Sequence, residues 1–113
     1  MHELSIATNI IEIVEENARQ KDATVVTILE LEIGEMSGVI VDALKTALEI
    51  SVNGTIIENA EIKIYEVIGE AQCNSCNEIF AIHDLYTPCP KCGSYHNMIV
   101  KGKEMKIKSF TIE

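Results

Sequence analysis

Four cysteines form two close pairs with the spacing C-x2-C-x12-C-x2-C, using Cys73, Cys76, Cys89 and Cys92. Two intervening residues let a turn aim both sulfurs at one point, and four thiolates from two such turns are the ligands of a structural zinc site. In the second pair, Gly93 permits the positive φ that brings backbone N–H groups to the sulfurs. Because four protein ligands leave no open coordination position, we expect this metal to fold its segment and not to catalyse a reaction.

Other chemistry of the same cysteines stays open. Disulfides need an oxidising compartment, whereas the acidic start of the chain lacks the basic segment of a secretory signal, so we expect a cytoplasmic protein. A thioredoxin-like redox pair needs only one C-x2-C. Ligand type alone does not separate zinc from iron in a rubredoxin-like electron carrier. His83 and His96 lie in the same segment, and the sequence leaves undecided whether either joins a metal site.

The chain begins Met-His-Glu-Leu. If Met1 is retained, its terminal amine, the deprotonated amide of His2 and the His2 imidazole could form two fused chelate rings. The amide of Glu3, or an outside ligand, could fill a fourth position. Planar nitrogen donors of this kind suit Ni(II) or Cu(II), and the residues alone do not select between these ions. A role in helix entry or at the surface also stays open, because a histidine at position two is weak evidence for a metal site.

The elements around these residues follow from periodicity. Apolar residues recur every three or four positions over 4–20, which predicts an amphipathic helix. The alternating, β-branched segment 24–33 predicts a strand in the centre of a sheet. Segment 34–54 predicts a loop and a second helix, with Ser37 as N-cap and Gly54 at the C′ position.

The remaining strands complete the predicted fold. A strand at 60–68 implies a parallel, right-handed crossover through the second helix. A final strand at 103–113 carries Lys103, Lys106 and Lys108, which we expect to pair with Glu30 and Glu32 of a neighbouring strand. The predicted fold class is α/β, with a small mixed three-stranded sheet, two helices and an inserted zinc-ribbon-like module. The predicted domains are 1–70 with 98–113, and an inserted zinc-binding domain at 71–97.

The charge distribution limits the kind of partner. The net charge is −9, and residues 1–70 contribute −10 of it, whereas residues 98–113 contribute +2. So acidic a chain gains little from counterion release, which disfavours binding to nucleic acid. No apolar stretch is long enough to span a bilayer, so we expect no membrane partner. The chain has no G-x-x-x-x-G-K-[ST] phosphate loop and no evident nucleophile–base arrangement, so we expect that it is not an enzyme.

Three motifs together resemble the HypA/HybF family of nickel metallochaperones, which act in the maturation of [NiFe]-hydrogenases. The motifs are "MHELS" at the start, "LEIGEMSG" at the end of the first strand, and C-x2-C followed by "CPKCG" before the basic last strand. The resemblance extends over essentially the whole chain. It implies a nickel-binding α/β domain and an inserted zinc domain.

The resemblance also implies ligands and partners. The nickel ligands would be Met1, His2 and Glu3, with Met1 and Glu3 contributing backbone nitrogens, and the zinc ligands would be the four cysteines. The implied partners are a HypB-type GTPase and the [NiFe]-hydrogenase large subunit, or urease in some bacteria. The alternative is a zinc-ribbon protein-interaction module or regulatory adaptor that does not transfer nickel.

Overall fold

The computed structural model describes residues 3–113, which form two helices and six strands. The helices are α1 (Glu3–Gln20) and α2 (Val41–Ser51). The strands are β1 (Val26–Gly34), β2 (Glu61–Val67), β3 (Gly69–Cys73), β4 (Ile79–Ile82), β5 (Asn97–Lys101) and β6 (Met105–Ile112). Within this range, neither helix combines the length and the apolar character that crossing a membrane requires.

The first sheet has the strand order β2-β1-β6, so β1 is central, as predicted. β1 and β2 are parallel and are joined through α2, and β6 is antiparallel to β1, which makes the sheet mixed. Alternate residues of β1 point toward the helices, and Leu29, Leu31 and Ile33 are buried there. These elements form the α/β lobe, defined here as α1, α2, β1, β2 and β6.

The core of the α/β lobe lies between the sheet and the two helices. α1 contributes the buried stripe Ala7, Ile10, Ile11, Val14 and Ala18, which is the face predicted from its periodicity. α2 contributes Leu44, Ala47 and Leu48. Burying each large side chain of this kind stabilises the fold by roughly 1.5–3 kcal/mol, so this core is the main source of stability in the lobe.

The start of α2 differs from the prediction. Ile40 occupies the N-cap position and has no side-chain cap, so the assignment of Ser37 as N-cap is wrong. The hydroxyl of Ser37 instead accepts the N–H of Val39 (3.2 Å) in the preceding turn. The N–H of Ile40 donates to the carboxylate of Glu3 (3.4 Å), so the acceptor at this helix end comes from the start of α1. Local sequence patterns do not report such a contact.

The end of α2 also differs. The C-cap residue is Val52, whose N–H donates to the carbonyl oxygen of Leu48 (3.0 Å). Gly54 has the expected positive φ of 81°, but it lies beyond the C′ position, which belongs to Asn53. The chain continues through a series of turns before β2, so the glycine serves this longer connection.

A second sheet, with the order β4-β3-β5, is antiparallel throughout. It carries the cysteine pairs and has its own small core of Ala71, Cys73, Phe80, Ile82 and Cys89. The sequence predicts a module here but not its strands, and the sheet extends beyond 71–97 at both ends. We call residues 69–101 the four-cysteine lobe. With two separate cores, the molecule is elongated, with extents of 54 × 25 × 17 Å.

The predicted ion pairs of the last strand are not formed. Lys106 lies opposite Glu32 in the β1–β6 register, yet among residues 3–113 no lysine ammonium lies within 4 Å of a carboxylate. Glu30 instead accepts hydrogen bonds from the hydroxyls of Ser109 (2.7 Å) and Tyr65 (3.1 Å), which lower the pKa of its carboxyl. The direct contacts of the Glu30 carboxylate are therefore with hydroxyl groups and not with lysine ammonium groups.

Three glycines bring the two lobes together. A Cβ at Gly34 would lie 2.1 Å from the carbonyl oxygen of Gly102, and a Cβ at Gly102 would lie 2.8 Å from Cα of Gly69. The N–H of Gly34 donates to the carbonyl of Glu104 (2.9 Å), and the N–H of Met36 donates to the carbonyl of Gly102 (2.7 Å). The end of β1 thus contacts both connections between the lobes, and the backbones approach too closely for a side chain.

Replacing Gly34 with Ala should lower the free energy of unfolding by about 3 kcal/mol, because the added methyl group would overlap backbone atoms that flexible side chains cannot vacate. Urea unfolding followed by circular dichroism measures this. Gly38→Ala is the matched control, since its Cβ meets nothing within 4 Å and only its positive φ should cost about 1 kcal/mol. Equal losses in the two variants would contradict the close packing at Gly34.

Candidate metal centres

The four cysteine sulfurs converge at one end of the four-cysteine lobe. Cys73 ends β3 and Cys76 lies in the turn that follows, while Cys89 and Cys92 lie in the connection from β4 to β5. The four sulfurs all lie within 4.8 Å of one another, with Cys73 to Cys92 at 3.5 Å and Cys76 to Cys89 at 3.6 Å. A tetrahedron with Zn–S bonds of 2.3 Å has edges of about 3.8 Å, so the donor set fits a tetrahedral metal ion.

The same turn occurs twice at this cluster. The N–H of Asn77 donates to the carbonyl of Cys73 (2.9 Å), and the N–H of Gly93 donates to the carbonyl of Cys89 (2.8 Å). Both donors have positive φ, 65° at Asn77 and 75° at Gly93. The positive φ expected at Gly93 is confirmed. Asn77 was missed, although asparagine is among the few non-glycine residues that adopt this conformation readily.

Backbone N–H groups and mutual proximity move the thiol pKa values apart. The N–H groups of Cys76 and Ser75 lower the pKa of Cys73 to about 6, and the Ser75 N–H lies 3.3 Å from its sulfur. The N–H of Glu78 favours the Cys76 thiolate, but burial and the neighbouring thiols raise the pKa of Cys76 to about 12. Without a cation, one thiolate therefore disfavours the next, whereas a divalent ion would stabilise all four.

Neither histidine of the four-cysteine lobe joins this cluster. Within residues 3–113, the four cysteines alone form a group of potential metal ligands. The imidazole of His83 contacts Glu35 (Nδ1 to Oε2, 2.6 Å), outside the sulfur cluster. His96 contributes its backbone to the first cysteine turn, where its carbonyl accepts the N–H of Asn74 (2.8 Å). The cluster is also only partly enclosed, since Cys73 and Cys89 are buried but Cys92 is exposed.

Of the predicted nickel ligands, Met1 and His2 lie outside the described residues. Glu3 is the first residue of α1, and its Oε2 accepts the N–H of Ile40 (3.4 Å) at the start of α2. The side chain of Glu3 is therefore engaged by the protein. Its backbone N–H belongs to the first turn of a helix, where N–H groups have no intrahelical acceptor.

A family model described as "Hydrogenase/urease nickel incorporation, metallochaperone, hypA" matches residues 1–112. The chain belongs to the HypA family. The resemblance noted from the terminal and cysteine motifs is thereby confirmed. This places the chain among the nickel-incorporation metallochaperones of hydrogenase maturation. The chain carries a four-cysteine metal-binding group.

Curated relatives and solved HypA structures resemble the chain over its whole length. It is 49% identical to the hydrogenase maturation factor HypA of Parabacteroides distasonis, over 100% of this chain and 98% of the relative. It is 43% identical to that of Prosthecochloris aestuarii, over 100% of both chains. The solution structure of the Ni metallochaperone HypA from Helicobacter pylori matches with a TM-score of 0.71 and 27% identity, over 99% of this chain and 97% of the other. The predicted fold class is confirmed by this likeness and by the mixed sheet.

Replacing Cys76 with Ser should lower the bound zinc to below one ion per chain and unfold the four-cysteine lobe first. The reason is that the core of this lobe is small and a zinc ion on the four sulfurs would join its two turns. Elemental analysis gives the zinc content, and amide NMR spectra show which lobe loses structure. Ser75→Ala is a control in the same turn, because it keeps the backbone N–H that faces Cys73. Full zinc content and native β3–β5 amide signals in Cys76→Ser would show that Cys76 is not a ligand.

Proposed function

We propose that this HypA-family chain carries Ni(II) on its amino-terminal residues and delivers it to the [NiFe]-hydrogenase large subunit. A zinc ion held by Cys73, Cys76, Cys89 and Cys92 has a structural role. The observation that carries the proposal is the match of the nickel-incorporation family model to residues 1–112, which includes both the Met-His-Glu start and the two cysteine pairs.

The zinc assignment is supported by the donor chemistry. Four sulfurs within 4.8 Å of one another suit a tetrahedral ion that prefers thiolates, and zinc is the commonest such ion in structural sites. With all four positions taken by protein, the ion has no open site for a substrate. Its contribution is to the folding of its lobe, and apparent zinc-binding free energies in such modules are on the order of 10–16 kcal/mol.

The nickel assignment is supported by the donors available at the start of the chain. The terminal amine, the amide and imidazole of His2 and the amide of Glu3 are nitrogen donors in a consecutive chelating arrangement that suits square-planar Ni(II). The carboxylate of Glu3 accepts the N–H of Ile40, so we assign Glu3 a backbone nitrogen and not a carboxylate role. A site with few protein ligands would let an acceptor protein exchange the metal.

The proposed division of labour follows the predicted domains, with nickel on 1–70 and 98–113 and zinc on 71–97. Nucleotide hydrolysis would come from a HypB-type GTPase partner, because the chain has no phosphate loop. We propose that the protein acts in the cytoplasm, in contact with the hydrogenase maturation machinery, and catalyses no reaction itself. Nucleic acid is a poor candidate partner at a net charge of −9.

Lengthening the amino terminus by one residue should abolish nickel binding, because the terminal amine would no longer complete the chelate ring with the His2 amide. Titrating Ni(II) into the native and lengthened proteins, followed by the absorption of square-planar nickel, tests this. His2→Ala should also lose the absorption and keep its zinc. His96→Ala is the matched control and should bind as the native protein does. Unchanged nickel binding in the lengthened protein and in His2→Ala would place the ligands elsewhere.

A second candidate is a protein-interaction module that transfers no nickel. It is favoured by the exposed apolar side chains of the four-cysteine lobe, where Leu85, Tyr86 and Tyr95 are 70%, 81% and 70% exposed. Exposed aromatic groups of this kind are common at protein interfaces. This candidate predicts normal partner binding by His2→Ala and no specific nickel absorption in the native protein.

A further inference from the structure

One ion pair among the described residues joins the two lobes. Glu35 follows β1 in the α/β lobe, and His83 follows β4 in the four-cysteine lobe. The Nδ1–H of His83 donates to Oε2 of Glu35 over 2.6 Å. The other carboxylate oxygen, Oε1, accepts the N–H of Gly69 (2.9 Å), the residue at which the chain enters the four-cysteine lobe. The Glu35 carboxylate thus binds both Gly69, at the start of β3, and His83, just after β4.

We propose that Glu35 and His83 form a clasp that fixes the orientation of the four-cysteine lobe relative to the α/β lobe, and that protonation of the imidazole tightens it. The inference concerns the orientation of the lobes and does not depend on nickel binding. One side-chain contact can affect the orientation of the lobes because they have separate cores. They meet through close backbone contacts at Gly34, Gly69 and Gly102.

The backbone positions both halves of the clasp. In the register of β3 with β4, Gly69 lies opposite Ile82, so His83 is the next residue along and emerges beside the connection. The N–H of Glu35 donates to the carbonyl of Val67 (2.8 Å), which fixes the carboxylate next to the end of β2. Adjacent to Glu35, Met36 packs against the core of the four-cysteine lobe. The strand register therefore brings the side chains of Glu35 and His83 together.

The other ionisable groups around the clasp are acidic. The cleft beside it, of about 300 Å³, has Glu35, Glu66 and His83 as its ionisable lining residues, and only Glu35 contacts the imidazole. Asp84 comes next in the chain, but its carboxylate accepts the N–H of Tyr86 (2.8 Å) and the hydroxyl of Thr87 (3.1 Å). The His83 side chain is 73% exposed, so a proton can reach it from solvent.

The carboxylate side of the clasp persists into mildly acidic solution. The N–H of Gly69 and then His83 lower the pKa of Glu35 from its ordinary value. A lowered pKa in the folded state means that the stabilisation is present above the ordinary carboxyl pKa and is lost as the pH falls through the folded-state value. Glu35 therefore keeps its charge, and can hold His83, when the solution becomes mildly acidic.

Residual dipolar couplings of backbone amides test the clasp in the full-length, zinc-loaded protein at about pH 6.5, where histidines are substantially protonated. In the native protein we expect a single alignment tensor to fit the amides of both lobes. In His83→Ala and in Glu35→Ala we expect the single tensor to fail, with smaller couplings in the four-cysteine lobe. The double variant should add nothing to Glu35→Ala, because that variant already removes the contact with His83. It should exceed His83→Ala only by the loss of the hydrogen bond from the Gly69 N–H.

Two further variants separate the causes. Glu35→Gln keeps an acceptor for the Gly69 N–H but removes the charge, so the single tensor should fail there also. His96→Ala, in the same lobe but outside the clasp, should behave as the native protein. Unchanged β3–β5 amide shifts and zinc content show that the variants keep a folded lobe. A single tensor in His83→Ala would overturn the clasp, and a single tensor in Glu35→Gln would overturn the role of charge.

Discussion

The fold of the four-cysteine lobe depends on how the charge of four neighbouring sulfurs is balanced. The sulfurs lie within 4.8 Å of one another, where four thiolates would repel each other. Backbone N–H groups stabilise one thiolate, at Cys73, and lower its pKa to about 6, but the pKa of Cys76 rises to about 12 among its neighbours. A divalent cation held by the four sulfurs would remove this conflict and join the two cysteine turns. The lobe has few other means of support, because its buried core comprises five residues, two of which are the cysteines Cys73 and Cys89.

The α/β lobe has the opposite character. Its larger core consists of leucine, isoleucine, valine and alanine between α1, α2 and β1, and contains no cysteine. Under the proposed function, its amino-terminal residues would gain and lose nickel while this core keeps the lobe folded. Four thiolates suit a zinc ion that stays bound. A few nitrogen donors at the amino terminus suit a nickel ion that is transferred to another protein. The glycines at the junction keep the two lobes adjacent but structurally distinct.

The sequence predicts features that depend on local periodicity or on cysteine spacing. α1, the central position of β1, the parallel β1–β2 pair and the convergence of the cysteines all follow from such patterns. The strands β3, β4 and β5 escaped prediction because they have only four or five residues each, and β3 and β5 also carry polar residues. Features that depend on contacts between distant residues were wrong or missed. The carboxylate of Glu3, and not Ser37, accepts an N–H at the start of α2. Glu35 of the α/β lobe contacts His83 of the four-cysteine lobe.

The most direct test of two separate metal sites is X-ray absorption at the nickel edge, on protein loaded with one equivalent of zinc and one of nickel. The nickel is expected to have nitrogen and oxygen neighbours only, in a square-planar arrangement, because the cysteines are occupied by zinc. A shell of sulfur neighbours around nickel would contradict the account, since nickel would then lie in the four-cysteine cluster and the amino terminus would not be its carrier.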